Sequence, residues 1–184
     1  MRLNIKNMVC PRCIVAVRTL LLSEGLTPGE VTLGIADIKE ELGAEQQERL
    51  SKSLEEMGFE LLDDPRSMLV EQMRLAVIEW VRMDGERPKM SDYLCERLRR
   101  DYSSLSKLFR EVQGLTLERY AIVHRIEYAK ELLCYNRLST SEIAYKLGYS
   151  SPAHFSAQFK QVTGMTPKMM RGRCSGHRLS LSDI

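Results

Sequence analysis

Apolar positions in the first third of the chain follow two spacings, one typical of strands and one typical of helices. Leu3 and Ile5 alternate with polar neighbours, as in a strand with one buried face. Apolar residues three and four positions apart follow at 14–21 and again at 50–57, and a glycine closely follows each stretch. Further alternation predicts a hairpin at 31–38 and a last strand at 59–61. The predicted order is strand, helix, strand, strand, helix, strand.

This order of elements indicates a fold class. A βαββαβ sequence of elements is typical of the ferredoxin-like split βαβ arrangement. The remainder of the chain follows helical spacing. We therefore expect an α+β, ferredoxin-like domain at 1–64, an all-α domain at 65–172 and a polar C-terminal tail at 173–184.

The helical part contains one pattern twice. "LCERLRRDYSSLSKLFREVQGLT" (94–116) aligns with "IAYKLGYSSPAHFSAQFKQVTGMT" (143–166), at an offset of 49 residues that becomes 50 after the predicted turn. Thus Leu94 falls on Ile143, and Phe109 falls on Phe159. Such self-similarity indicates two copies of one supersecondary unit, here a short helix, a turn and a second helix.

Capping residues and apolar stripes define the second copy of this unit. Ser139 and Glu142 have the spacing of a capping box, and Ser151 before Pro152 suits the start of the next helix. The stripes expected to face inward are Leu105, Leu108, Phe109 and Val112 in the first copy, and Phe155, Phe159 and Val162 in the second. The pattern predicts a double helix-turn-helix domain; the alternative is a helical bundle whose repeat serves only packing.

Charge differs between the two parts of the chain. Residues 1–64 carry 7 Lys/Arg and 12 Asp/Glu, a balance of −5, whereas residues 65–184 carry 20 and 13, a balance of +7. A basic helical part favours a polyanionic partner, although ordinary solvated helix faces would give the same surplus. The five cysteines are odd in number and mostly dispersed, and no apolar run approaches the ~20 residues of a membrane span. We expect a cytoplasmic protein that does not enter the membrane.

The helical segment resembles the DNA-binding domain of the AraC family over about residues 68–172. The resemblance rests on "RIEYAKELL" (125–133), "SEIAYKLGY" (141–149) and "HFSAQFKQVTGMTPKMMR" (154–171). It implies a bacterial transcription regulator that is not an enzyme. Two helix-turn-helix units would place their second helices in successive major grooves, about 34 Å apart. Double-stranded DNA is the expected partner, with RNA polymerase and a second copy of the chain as further candidates.

The same resemblance implies which residues contact DNA. They lie on the solvent-facing side of the second helix in each helix-turn-helix unit. Lys107 and Arg110 offer the strong guanine contact, whereas Ala157 lies where many relatives carry arginine. The second copy is therefore expected to contact thymine methyl groups or phosphates. The complete predicted set is Ser103, Ser106, Lys107 and Arg110, followed by Ala153, Ser156, Ala157 and Lys160.

Residues 1–64 also resemble the heavy-metal-associated domain, through Met8-x-Cys10-x-x-Cys13 and Gly58-Phe59. A CxxC at a helix N-terminus brings two sulfurs together, and the helix dipole favours thiolates, which select soft ions. Two thiolates leave Zn(II) short of its usual four ligands, so we expect Cu(I), or a Zn(II) shared across a dimer. The resemblance implies that Met8 is a buried support. Asn7 departs from the glycine that usually precedes this methionine.

Other hypotheses for the thiol pair stay open. Cys10 and Cys13 could form a redox sensor, or the domain could be a structural or protein-interaction module. A metal-trafficking protein with a basic assembly domain is the alternative from another class. Cys95 and Cys134 lie on helix faces and are expected in the core, whereas Cys174-x-x-His177 lies in the expected polar tail and could add ligands.

Overall fold

The structure is a computed structural model that describes residues 1–135 and 137–175. The chain divides into two compact units. The first unit comprises Met1–Ala76 and Ser103–Val112, and the second comprises Val77–Tyr102 with the described residues from Gln113 onward.

The first unit begins with the six elements predicted from the sequence. Their bounds are β1 Arg2–Lys6, α1 Pro11–Ser23, β2 Pro28–Thr32, β3 Ile35–Ile38, α2 Ala44–Glu56 and β4 Glu60–Leu62. The strands form one four-stranded sheet in the order β2-β3-β1-β4, in which all neighbours are antiparallel. The predicted order of elements is therefore observed.

The alternation in β1 determines what each face of the sheet contacts. Leu3 and Ile5 are buried in a core with Val17 and Leu21 of α1 and with residues of α2. Asn4 points to the opposite face, where it lines a shallow cleft together with residues of the next helix, α3, which spans Pro65–Arg82. Gly34 packs so closely against α3 that a Cβ atom there would lie 2.6 Å from Leu75 Cδ1.

Six more helices follow among the residues that the structure describes. Their bounds are α4 Met90–Leu98, α5 Tyr102–Gln113, α6 Leu117–Tyr135, α7 Thr140–Lys146, α8 Pro152–Thr163 and α9 Pro167–Ser175. In the second unit, the buried residues of α6, α7 and α8 form one apolar core. Ser139 starts α7 with the predicted capping box, since its Oγ accepts from Glu142 N and its N–H donates to the Glu142 carboxylate. None of the described helices is long and apolar enough to cross a membrane.

Three sequence predictions about the helical part are wrong. Val112 is 42% exposed, whereas Val162 in the second copy packs against the core as expected. Cys134 is not a core thiol and Cys174 is not in a polar tail, because α9 continues to Ser175 and Cys174 forms a disulfide with Cys134. Cys95 is a half-buried free thiol. The remaining part of the expected tail, His177 included, lies outside the described residues.

Candidate nucleic-acid interface and thiol pair

Helices α5 and α8 carry the same arrangement of buried and exposed positions. Leu105 and Phe109 are buried in α5, as are Phe155 and Phe159 in α8. The predicted contact residues recur at spacings of three and four, so each set shares one helix face. Ser106 and Ser156 are half-buried, and the exposed members are Ser103, Lys107 and Arg110 in α5, and Ala153, Ala157 and Lys160 in α8.

The face of α5 carries the stronger chemistry for binding nucleic acid. The side chains of Lys107 and Arg110 are exposed and form no ion pair or hydrogen bond with the residues that the structure describes. An ammonium and a guanidinium one helical turn apart suit guanine edges or phosphates. Both cations can therefore contact a polyanion without first losing a protein partner.

The corresponding face of α8 is mostly small and apolar. Ala153 and Ala157 occupy the positions of Ser103 and Lys107, and Lys160 is the cation of this face. Alanine can contact a thymine methyl group but offers no hydrogen bond to a base edge. This face is chemically suited to apolar contact and to one phosphate.

The turn between α7 and α8 is held by contacts that the sequence did not reveal. Gly148 has φ +78°, and the next residue, Tyr149, is buried. The Tyr149 hydroxyl donates to Gln158 Oε1 at 2.6 Å, and burial raises the pKa of Tyr149. Ser151 caps α8 by accepting from His154 N, as the sequence predicts. These bonds fix the direction in which α8 leaves the turn.

Two arginines stack on a tryptophan beside this turn. Arg87 and Arg125 lie 5.1 and 5.2 Å from the centre of the Trp80 ring, and Arg125 also lies 5.3 Å from that of Tyr149. Arg87 donates to Leu147 O at 3.0 Å. Burial lowers the pKa of Arg87, and the positive charge of Arg125 lowers it further. Arg125 is the first residue of "RIEYAKELL", and no role was predicted for it from the sequence.

The first copy uses other means at its turn. Arg99 has φ +52°, the left-handed region that Gly148 occupies in the second copy. The Tyr102 hydroxyl donates to Glu118 Oε1 at 2.5 Å, which connects the start of α5 to α6. Burial raises the pKa of Tyr102, and the hydrogen bond to Glu118 raises it further. The same hydrogen bond lowers the pKa of Glu118.

The two sulfurs of the CxxC motif lie together at the start of α1. Cys10 is the N-cap residue, Pro11 is the first helical residue, and the Sγ atoms of Cys10 and Cys13 are 3.5 Å apart. Interaction with the backbone N–H of Cys13 lowers the pKa of Cys10, and interaction with the Cys13 thiol lowers it further. Met8 is fully buried, as expected of a support. The pair offers two soft donors, and no group of three or more potential metal ligands occurs among the described residues.

The loop before the thiols is anchored by Asn7. Its φ is +73°, a region that glycine adopts freely and that asparagine tolerates better than most residues. Asn7 Nδ2 donates to Gly58 O at 3.1 Å, and its backbone N–H donates to Glu71 Oε1 at 3.1 Å. Asn7 thus holds a conformation that glycine adopts freely and ties it to Gly58 and Glu71 by hydrogen bonds. Sequence analysis did not identify Glu71, which is 64 positions away.

Comparison with known proteins identifies the helical part. A family model described as "Helix-turn-helix domain" matches residues 94–173. The HTH-type transcriptional regulator GlxA of Rhizobium meliloti is 39% identical over 100 residues, which is 54% of this chain and 31% of that protein. The HTH-type transcriptional activator RhaR of Salmonella schwarzengrund is 35% identical over 86 residues, 47% of this chain and 30% of that protein. The chain spans less than a third of the length of these curated relatives.

Solved structures show the fold of the same region. The C-terminal domain of AraT, a response regulator from Geobacillus stearothermophilus, matches with a TM-score of 0.52 and 24% identity, over 64% of this chain and 93% of that one. A transcriptional regulator with an AraC-type DNA-binding domain, from Chromobacterium violaceum, matches with a TM-score of 0.51 and 21% identity. The match covers 58% of this chain and 96% of that one. GlxA is a transcriptional regulator, RhaR is a transcriptional activator and AraT is a response regulator. Residues 94–173 are thus a helix-turn-helix domain with the fold of the AraC-type DNA-binding domains.

Proposed function

We propose that this chain is a sequence-specific DNA-binding transcription regulator whose N-terminal domain, residues 1–64, senses a soft metal ion through Cys10 and Cys13. The observation that carries the DNA-binding part is the pair of matching exposed faces on α5 and α8, within a helix-turn-helix domain. In such domains the second helix of each unit enters the major groove. RNA polymerase and a second copy of the chain are further partners within this proposal.

The two faces would divide the recognition of DNA unequally. Lys107 and Arg110 are exposed on α5 and would supply the base-specific hydrogen bonds. The alanines of α8 would contact thymine methyl groups, while Lys160 binds phosphate. Sequence preference would therefore be strongest at the base pairs that α5 contacts.

The sensing part rests on the N-terminal domain, residues 1–64. Its βαββαβ order and its sheet order β2-β3-β1-β4 support a ferredoxin-like domain of the heavy-metal-associated type. The lowered pKa of Cys10 favours the thiolate, which is the form that binds metal. Two thiolates suit Cu(I), whereas Zn(II) prefers four ligands and would need a second copy of the chain.

A thiol redox sensor is the second candidate function for the same pair. The 3.5 Å separation of the Cys10 and Cys13 sulfurs favours it, because little movement would be needed to join them. An oxidant such as a disulfide or a peroxide would accept the two electrons, and both thiol protons would be released.

Metal titration followed by DNA binding tests the sensing proposal. Wild type, Cys10→Ser/Cys13→Ser and the control Cys95→Ser are titrated with Cu(I), and their affinity for a selected DNA site is measured with and without the metal. We expect wild type and Cys95→Ser to bind one ion and to change DNA affinity at least several-fold. Identical uptake and identical DNA binding by the double variant would contradict it. A Cys10–Cys13 disulfide that alters DNA binding would establish the redox function instead.

A further inference from the structure

A buried carboxylate holds the loop that precedes the thiols. Glu71 lies on α3 and is only 4% exposed, and it is the one charged residue buried to this extent in the described part of the chain. Burying a carboxylate away from water is costly unless it is paired and hydrogen-bonded. Its partners therefore indicate what this position does.

Both oxygens of Glu71 are used. Oε1 accepts from the backbone N–H of Asn7 at 3.1 Å, and Oε2 accepts from Arg74 Nη1 at 2.7 Å. The same Arg74 nitrogen donates to Asn7 Oδ1 at 3.4 Å, and Asn7 Nδ2 donates to Gly58 O. Glu71, Arg74 and Asn7 thus form a closed network between α3 and the loop.

The network contacts the loop at Asn7, three residues before Cys10. Asn7 has φ +73° and is followed by the buried Met8, so the hydrogen bond to Glu71 fixes the direction in which the chain enters Val9–Cys10. Cys10 and Cys13 both lie within the next six residues, so this loop is the backbone segment that joins the network to the thiol pair. The Asn7 N–H is the backbone group of this loop that contacts the carboxylate.

Helix α3 continues beyond this contact. Glu71 and Arg74 lie in the part of α3 that belongs to the first unit, and Val77–Arg82 of the same helix belongs to the second unit. A continuous helix transmits a displacement along its axis because its backbone hydrogen bonds resist bending. Glu71 therefore lies where a local change in the loop can become a change in α3.

We propose that Glu71 is the coupling residue through which a chemical change at Cys10 and Cys13 alters α3. This rests on the proposed function only in taking the thiol loop as the sensing site, and it holds for metal binding and for covalent modification alike. Glu71 acts on α3 through its bond to Asn7 and does not itself contact the bound species.

Hydrogen exchange of the α3 backbone amides tests this coupling. Wild type, Glu71→Met, which removes both acceptor oxygens at similar volume, and the control Glu24→Met are measured free, loaded with Cu(I), and alkylated with iodoacetamide. Glu24 is a matched control because it is a largely buried glutamate paired with Arg49, at 3.0 Å, elsewhere in the first unit. The double variant Cys10→Ser/Cys13→Ser subtracts effects of alkylation at other cysteines.

We expect alkylation to change exchange in α3 at least several-fold in wild type and Glu24→Met. The change should be lost in Glu71→Met, which offers no acceptor to the Asn7 N–H, although peptide mapping shows equal modification of Cys10 and Cys13. Asn7→Gly keeps the backbone N–H that donates to Glu71 and should retain the response, so the coupling remains testable if Glu71→Met does not fold.

Three outcomes would overturn the coupling: α3 unaffected in alkylated wild type, an equal response in Glu71→Met, or a response lost in Asn7→Gly. Failure of Cu(I) to bind wild type would remove the metal-sensing proposal, while the alkylation experiment would still decide the coupling. A response of α3 without any change in DNA affinity would likewise contradict sensing and support the coupling.

Discussion

At the scale of single residues, the geometry of the second helix-turn-helix unit depends on the backbone at Gly148. Its φ of +78° lies in the left-handed region, where a side chain costs roughly 1–2 kcal/mol. A Cβ atom there would also lie 3.4 Å from Arg87 Nη1, the atom that donates to Leu147 O. Gly164 has a similar φ, +75°, but open space around it.

The two glycines give a matched pair of substitutions. We expect Gly164→Ala to lower the free energy of unfolding by about 1 kcal/mol, and Gly148→Ala to lower it further because the Arg87 contact is disturbed as well. Denaturant unfolding followed by circular dichroism measures both values. Equal losses in the two variants would mean that the bond between Arg87 and Leu147 tolerates the added methyl group.

The Tyr102–Glu118 hydrogen bond predicts a dependence of stability on pH. The bond lowers the pKa of Glu118 from its ordinary value of 4.5, so its stabilisation is complete above that value and declines as the pH falls through the lowered one. We expect Tyr102→Phe to lower the unfolding free energy by about 1 kcal/mol at neutral pH, and by less in acid. The exposed Tyr135→Phe is the control. A deficit that grows as the pH falls would contradict this account.

At the scale of elements, α5 and α8 present matching faces with different chemistry. We expect Lys107→Ala and Arg110→Ala each to weaken DNA binding, by ~1–3 kcal/mol where a base contact is lost, with the fold unchanged. A lost base contact relaxes preference at one base pair, whereas a lost phosphate contact weakens all sequences alike. Lys52→Ala, an exposed lysine of α2, is the control. Unchanged affinity in both variants would place the main DNA contact on another element.

The disulfide predicts that α6 and α9 are covalently joined under oxidising conditions. Cys134 and Cys174 have Cα atoms 5.2 Å apart, within the usual range for a disulfide, and close a loop across 40 positions. We expect Cys134→Ser, or a reductant, to lower the free energy of unfolding by about 2–4 kcal/mol. Cys95→Ser, which removes a half-buried free thiol, is the control. Absence of a cross-linked peptide containing both residues, by mass spectrometry without reductant, would contradict the pairing.

Local spacing predicted the elements well and long-range contacts poorly. The capping box at Ser139 and the N-cap at Ser151 were predictable because every interacting group lies within four residues. The Asn7–Glu71 bond and the Cys134–Cys174 pair join distant positions, and no periodic pattern carries that information. Val112 was wrongly expected inside because its helical spacing suits the stripe, yet it is 42% exposed.

At the scale of the whole molecule, charge and architecture support the same function. The surplus of Lys and Arg, 20 against 13 Asp and Glu, lies in residues 65–184, which include the helix-turn-helix domain. Neutralising phosphates with these cations releases counterions, so DNA affinity should fall steeply as salt is added. The salt slope reports phosphate contacts only, and sequence preference must be measured separately.

Selection of genomic DNA fragments by the purified wild-type chain tests the central claim of sequence-specific binding most directly. The bound fragments are sequenced, and their affinity is compared with that of random duplex of equal length at one salt concentration, with and without Cu(I). We predict an enriched motif. With or without Cu(I), in at least one of the two conditions, the motif should bind more tightly than random duplex by a factor on the order of 10³ or more. Binding no tighter than to random duplex in both states would contradict it.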